Sequence, residues 1–87
     1  MKRNYRNAFN ALEKIGAPVF ERDDRLFISA EDNCDEMWAD YYAMGDGYSC
    51  GGALDDFGVN NKINAILGKF GLFAEWQNPG CLAVCEM

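Results

Sequence analysis

The side chains that most often do chemistry in proteins are either missing from this chain or widely spaced. The sequence has four cysteines and no histidine, so it lacks the commonest general base and the commonest metal ligand. The cysteines are Cys34, Cys50, Cys81 and Cys85. None of them forms the close C-x2-C pair that is typical of zinc sites, and no imidazole is present to activate a thiol. We therefore expect no metal site and no nucleophilic cysteine, and a cysteine-based metal or redox protein is the least favoured class.

Spacing also restricts disulfide formation. Cys81 and Cys85 fall on one predicted strand about 13 Å apart, whereas a disulfide requires α-carbons within about 7 Å. Cys34 with Cys50, or either of these with a C-terminal cysteine, remains open. Because the N-terminus has no secretory signal pattern, we expect a cytoplasmic, reducing environment with mostly buried free thiols.

Carboxylates are numerous, but their spacing does not favour acid–base catalysis. The adjacent pairs Asp35–Glu36 and Asp55–Asp56 diverge whether they lie on a helix or on a strand. Glu75 alternates with apolar neighbours, which indicates a solvent-facing or edge position on a strand. The glycine-rich stretch 45–52 contains Asp46 and no lysine, unlike a phosphate-binding loop. We therefore expect a protein that is not an enzyme and needs no cofactor.

The elements that must position these residues form two similar units. In the first, residues 3–29, an amphipathic stripe predicts a helix that ends at Gly16, and two short strands follow around a polar turn at 22–25. The stripe consists of Tyr5, Ala8, Phe9, Leu12 and Ile15. In the second unit, residues 60–86, Asn60 or Asn61 caps a helix that ends at Gly71. Two strands follow, Leu72–Trp76 and Cys81–Glu86, joined by a predicted type II turn at Asn78–Pro79–Gly80.

Between the units, residues 30–58 predict an acidic helix followed by a glycine-rich loop. Ser29 or Asp32 can cap this helix, and Trp38 and Tyr41 fall on its apolar side while Tyr42 falls on its acidic side. The whole chain, 1–87, is then a single small α+β domain of order α-β-β-α-(loop)-α-β-β. Because an isolated two-stranded hairpin is only marginally stable, we expect a four-stranded antiparallel sheet packed by the helices.

Acidic residues are concentrated in the middle of the chain. The net charge is −6, and residues 26–61 carry eight acidic residues with no lysine or arginine. Such a segment repels phosphate backbones and anionic membrane surfaces, so we expect neither direct nucleic-acid binding nor membrane binding. No membrane-spanning apolar run is present. The natural complement of this segment is a protein with a basic surface.

Tyrosines are interleaved with these acids, and tyrosine contributes large contact areas at interfaces. We therefore expect the acidic, aromatic face to bind a partner. Its predicted residues are Asp35, Glu36, Asp40, Tyr42, Asp46, Tyr48, Asp55 and Asp56.

In size, acidity and lack of catalytic groups and targeting signals, the chain resembles in kind the small phage-encoded proteins that block host defence, such as anti-CRISPR and anti-restriction proteins. The resemblance implies a non-catalytic inhibitor in the host cytoplasm. Many such proteins occlude a basic nucleic-acid-binding surface, and the tract Glu31–Asp56 suits that role. The alternative is a structural or regulatory interaction module with no nucleic-acid-related target. Such a module is monomeric or homodimeric, with contact through a hairpin edge or the apolar Cys81–Cys85 strand.

Overall fold

The computed structural model describes residues 2–31, 36–43, 54–55 and 57–87, and these form a small α+β domain. Its elements in chain order are α1 (Arg3–Lys14), β1 (Val19–Arg22), β2 (Arg25–Ser29), a single 3₁₀ turn (Tyr41–Ala43), α2 (Asn61–Lys69), β3 (Leu72–Asn78) and β4 (Cys81–Glu86). The strands form one antiparallel sheet of order β1-β2-β4-β3, so the two hairpins meet at β2 and β4. The prediction of a four-stranded antiparallel sheet is confirmed.

Both helices end where the sequence predicts. Gly16 and Gly71 follow α1 and α2 with φ of 88° and 71°, the left-handed conformation that suits glycine. Asn60 caps α2, because its side-chain oxygen accepts a hydrogen bond from the backbone N–H of Lys62 at 2.8 Å. The prediction for Ile15 is wrong: this residue lies beyond α1 and is 41% exposed, because the chain turns at Gly16 instead of continuing the stripe.

The first hairpin is closed by two residues, Asp23 and Asp24. Both have positive φ, 52° and 61°, as a two-residue type I′ turn requires. Aspartate tolerates this conformation better than most residues. The turn fixes the register in which Arg22 pairs with Arg25 and Phe20 pairs with Phe27.

The second hairpin does not contain the predicted type II turn. Gly80 lacks the positive φ that this turn type needs at its third position. Instead, the Asn78 side-chain oxygen accepts a hydrogen bond from the backbone N–H of Gly80 at 2.9 Å. A register shift between Trp76 and Asn78 also bends the strand before the turn. The local side-chain bond therefore selects a different turn.

The core lies between the two helices and one face of the sheet. Its apolar residues come from α1 and α2 and from the inward side of three strands, and Trp38, Ala39 and Val59 complete it. The largest fully buried apolar side chains are Leu12, Leu26, Ile28, Ile63, Leu67, Leu72 and Leu82. Burial of about seven large aliphatic side chains contributes on the order of 10–20 kcal/mol before conformational entropy is subtracted.

The predicted acidic helix is wrong over the residues that can be assessed. Residues 36–40 are not helical, and only the 3₁₀ turn at Tyr41–Ala43 follows them. The backbone groups that a helix would use bond another segment instead. Asp40 N–H donates to the Gly58 carbonyl at 2.8 Å, and Asn60 N–H donates to the Trp38 carbonyl at 2.9 Å. The predicted glycine-rich loop at 45–52 lies outside the described residues.

Candidate functional site: an acidic aromatic face beside β3

Asn60 connects the acidic segment to α2. While its oxygen caps the helix, its side-chain NH₂ donates to Glu36 Oε2 at 2.9 Å and to the Met37 carbonyl at 3.0 Å. Glu36 Oε1 in turn accepts from Lys62 Nζ at 3.0 Å. The hydrogen bond from Lys62, with that from Asn60, lowers the pKa of Glu36 below its ordinary value. One amide that is only 2% exposed therefore anchors residues 36–37 on the first turn of α2.

Asp55 organises the turn that leads into α2. Its Oδ1 accepts from the backbone N–H groups of Phe57 and Val59 at 2.8 and 3.0 Å, and its Oδ2 accepts from Asn64 Nδ2 at 2.7 Å. Gly58 completes the turn with φ of 81°, packed so closely against the Asp40 carbonyl that a side chain there would overlap it. The carboxylate thus fixes the direction in which Phe57 projects.

These contacts bring aromatic residues from three separate stretches of chain to the outer edge of β3. Tyr41 lies edge-on to Trp76, with ring centroids 5.3 Å apart, and Tyr42 lies edge-on to Tyr41 at 5.6 Å. Trp76 Nε1 donates to the Phe57 carbonyl at 2.7 Å, which ties the strand to the turn. Tyr42 is 84% exposed and Phe57 is 66% exposed. Exposed aromatic groups held in this way are typical of contact surfaces.

An open groove of about 430 Å³ runs along this edge. It is lined by Tyr41, Phe57, Phe73, Ala74, Glu75 and Trp76. Glu75 is the charged residue among them, and Asp40 lies next to the groove, where its Oδ1 accepts from the Tyr42 N–H at 3.0 Å. We call the groove residues together with Asp40 and Tyr42 the β3-edge face. Its two acidic residues, Asp40 and Glu75, carry negative charge, and its rings supply apolar area.

The predicted binding residues have different positions in the structure. Tyr42 is exposed on the β3-edge face, and Asp40 lies beside it. Glu36 and Asp55 use their carboxylates in internal hydrogen bonds that shape the segment. Asp35, Asp46, Tyr48 and Asp56 lie outside the described residues.

Six residues of the face were not among the binding residues predicted from the sequence: Tyr41, Phe57, Phe73, Ala74, Glu75 and Trp76. Glu75 is exposed on an edge strand, as its alternation with apolar neighbours predicts. The signal that points to Phe73 and Trp76 is the aromatic content of β3, where these two residues fall on opposite sides of an edge strand. Side chains on a strand alternate between its two sides, so when one of these rings faces the core the other faces solvent.

The two described cysteines, Cys81 and Cys85, are free and half-buried. Burial raises the pKa of both thiols, and the neighbouring Glu75 carboxylate raises that of Cys85 further. Both are therefore neutral thiols near pH 7 and weak nucleophiles. Within the described ranges, no three side chains of the ligating types are grouped as a metal would need.

No helix of the described chain has the length and apolarity needed to cross a membrane. Comparison of the sequence and the fold with protein-family models, with curated proteins and with solved structures finds no match.

Proposed function

We propose that this chain is a non-catalytic protein-binding module whose β3-edge face docks on a basic protein surface. The observation that carries the proposal is the pair of exposed rings, Tyr42 at 84% and Phe57 at 66%. Phe57 lines the groove, whose charged lining residue is Glu75, and Tyr42 contacts the lining residue Tyr41. The backbone N–H groups of both residues donate hydrogen bonds, to Asp40 and Asp55 respectively. Backbone that is already held in this way loses less conformational entropy on binding.

Charge supports a basic partner over a neutral one. The chain carries a net charge of −6, and no lysine or arginine occurs between residues 26 and 61. A field of this sign accelerates encounter with a positive surface and disfavours acidic partners. The rings then supply the apolar contact area that makes an encounter complex persist.

The specific form of the proposal is inhibition of a host defence protein. A module of this size that covers the nucleic-acid-binding surface of its target blocks function by occupying space, which needs no catalytic group. Its site of action is then the host cytoplasm. This form follows from the resemblance to phage-encoded anti-defence proteins, and the β3-edge face is the surface that suits it.

The experiment is affinity capture from a bacterial lysate with three baits, followed by mass spectrometry. The baits are the unaltered protein, the double variant Tyr42→Ser/Phe57→Ser, and the control Ile15→Ser. Ile15 is an exposed apolar residue outside the β3-edge face, so its substitution shows whether removing exposed apolar area elsewhere affects capture. We expect a basic protein to be captured by the unaltered and control baits and to be lost at least about tenfold with the double variant.

If all three baits recover the same proteins equally, the β3-edge face is not the surface that binds them. If the captured proteins have no basic surface, the expectation of a basic partner is wrong. Thermal unfolding of the three baits shows whether any loss comes from the fold. Because Tyr42 and Phe57 are exposed, we expect their substitution to change stability by less than about 1 kcal/mol.

A further inference from the structure

The sheet face opposite the helices carries a second surface, which shares Glu75 with the β3-edge face. The pairing registers align Phe20, Phe27, Ala83 and Glu75 in one row across β1, β2, β4 and β3. In the described part of the chain, no helix packs on this side, since the buried side chains of α1 and α2 join the core with Leu26, Ile28 and Leu82. This row and its neighbours are called the open sheet face.

The open sheet face is apolar at its centre and oppositely charged at its two edges. Phe20 and Phe27 stack with ring centroids 5.5 Å apart. Arg22 lies over the Phe20 ring at 5.7 Å and Arg25 lies over the Phe27 ring at 5.4 Å. At the other edge, the exposed Glu75 accepts a weak hydrogen bond from the Cys85 thiol at 3.7 Å, which places its carboxylate on this same side. Positive charge therefore lies over β1 and β2, and negative charge lies over β3.

We propose that the open sheet face binds a second copy of this chain through a two-fold axis that runs parallel to the strands between β2 and β4. Such an axis places β1 opposite the partner copy's β3, and β2 opposite its β4. Arg22, held over Phe20, then faces the second copy's Glu75, and Phe27 faces its Ala83. Because the axis is two-fold, each of these contacts occurs twice in the dimer.

Charge distinguishes a second copy from the other occupants of such a face. A polyanion would meet the arginines but also Glu75 and the two acids of the adjoining turn, Asp23 and Asp24. A second copy instead places Glu75 opposite Arg22, once on each side of the axis. Opposite charges that face one another across a symmetry axis fix register and suppress other arrangements.

The size of the face sets the strength of the association. Four strands about 4.8 Å apart and about five residues long present a patch of roughly 15 × 17 Å, and sheets pack about 10 Å apart. Two such patches have a combined flat area of roughly 500 Å², which is below the size of a stable specific interface and in the range of weak contacts. We therefore expect a reversible dimer with a dissociation constant in the range of about 10–500 μM.

The test is sedimentation equilibrium of the full chain from about 10 μM to 1 mM in reducing buffer, on the unaltered protein and two charge-reversed variants. Variant one is Arg22→Glu/Arg25→Glu, and variant two is Glu75→Arg. In a dimer of either variant alone, like charges face each other across the interface, so we expect dimerisation to weaken at least about tenfold. An equimolar mixture of the two variants restores attraction at both symmetric contacts, so we expect dimers to reappear in the mixture.

A chain that stays monomeric up to 1 mM overturns the proposal and leaves the face to a partner of different sequence. Dimers that persist in both variants, or that fail to return in the mixture, also overturn it. All three substituted residues are exposed, so we expect the fold to be retained. If thermal unfolding shows that a charge-reversed variant does not fold, the neutral variants Arg22→Gln/Arg25→Gln and Glu75→Gln are used instead. We expect these neutral variants to weaken dimerisation less than the charge-reversed ones. The measurement uses no other protein, so its outcome is independent of the proposed function.

Discussion

Substitution of Asn60 by aspartate separates the two roles of this side chain. Aspartate caps a helix as well as asparagine does, so the bond from the Lys62 N–H is retained. The two donated bonds, to Glu36 Oε2 and the Met37 carbonyl, are lost, and a carboxylate is placed where the structure holds an NH₂ group. The effect on stability therefore reports the connection between the acidic segment and α2.

The magnitude follows from burial. Asn60 is 2% exposed, and leaving one of its polar atoms without a partner costs about 1–3 kcal/mol, with about 1 kcal/mol more for the lost bond to Met37. Repulsion from Glu36 adds to this. A total of about 2–4 kcal/mol lowers the melting temperature of a domain this size by about 10–25 °C. Thermal and urea unfolding at pH 7 measure it.

A second substitution, Glu36→Gln, tests the same contact between residues 36 and 60. Glu36→Gln alone removes the ion pair with Lys62 and lowers stability slightly. In the Asn60→Asp background the same change supplies an NH₂ group that can donate to the new carboxylate, so we expect it to raise stability. If Glu36→Gln lowers stability by the same amount in both backgrounds, the contact between residues 36 and 60 does not exist in solution.

Two further predictions concern the same region. Gly58→Ala forces a side chain onto the Asp40 carbonyl at a positive φ and should cost more than about 3 kcal/mol, whereas Gly16→Ala, also at positive φ but in open space, should cost about 1 kcal/mol. Equal losses in urea unfolding would contradict the close packing at Gly58. A carboxylate whose pKa is lowered by folding stabilises the fold above its ordinary pKa, 4.5 for Glu36, and this contribution is lost as the pH falls through the lowered value. The stability difference between the unaltered protein and Lys62→Met should therefore shrink when the pH falls from 7 to 3, and a constant difference would exclude that role for Lys62.

Local signals in the sequence predict both helix–hairpin units because each is fixed by residues close together in the chain. The apolar stripes, the glycines after each helix and the Asn60 cap act within a few residues, and the helices end where these signals indicate. The boundaries of the predicted units, 3–29, 30–58 and 60–86, remain sequence predictions. The type II prediction was wrong because the Asn78 side-chain oxygen accepts from the Gly80 N–H, a bond that a turn rule based on Pro and Gly does not include.

The middle segment could not be predicted because its structure is set by distant partners. The helical spacing of Trp38 and Tyr41 is real, yet the backbone of 38–40 bonds residues 58–60 instead. The β3-edge face was missed for the same reason, since Tyr41, Phe57 and Trp76 meet only after the sheet has formed. The exposure of Tyr42 follows from its place on the acidic side of the sequence pattern, although the predicted helix around it is wrong.

The central claim is that the β3-edge face binds a basic protein through charge and exposed rings. The most direct measurement is the affinity of this chain for its captured partner between 50 and 500 mM salt, with Asp40→Asn/Glu75→Gln as the matched uncharged variant. We predict that the affinity of the unaltered chain falls at least about tenfold over this range, and that the variant binds more weakly at low salt with a smaller salt dependence. An affinity that does not change with salt, or a variant that behaves like the unaltered chain, would contradict the account.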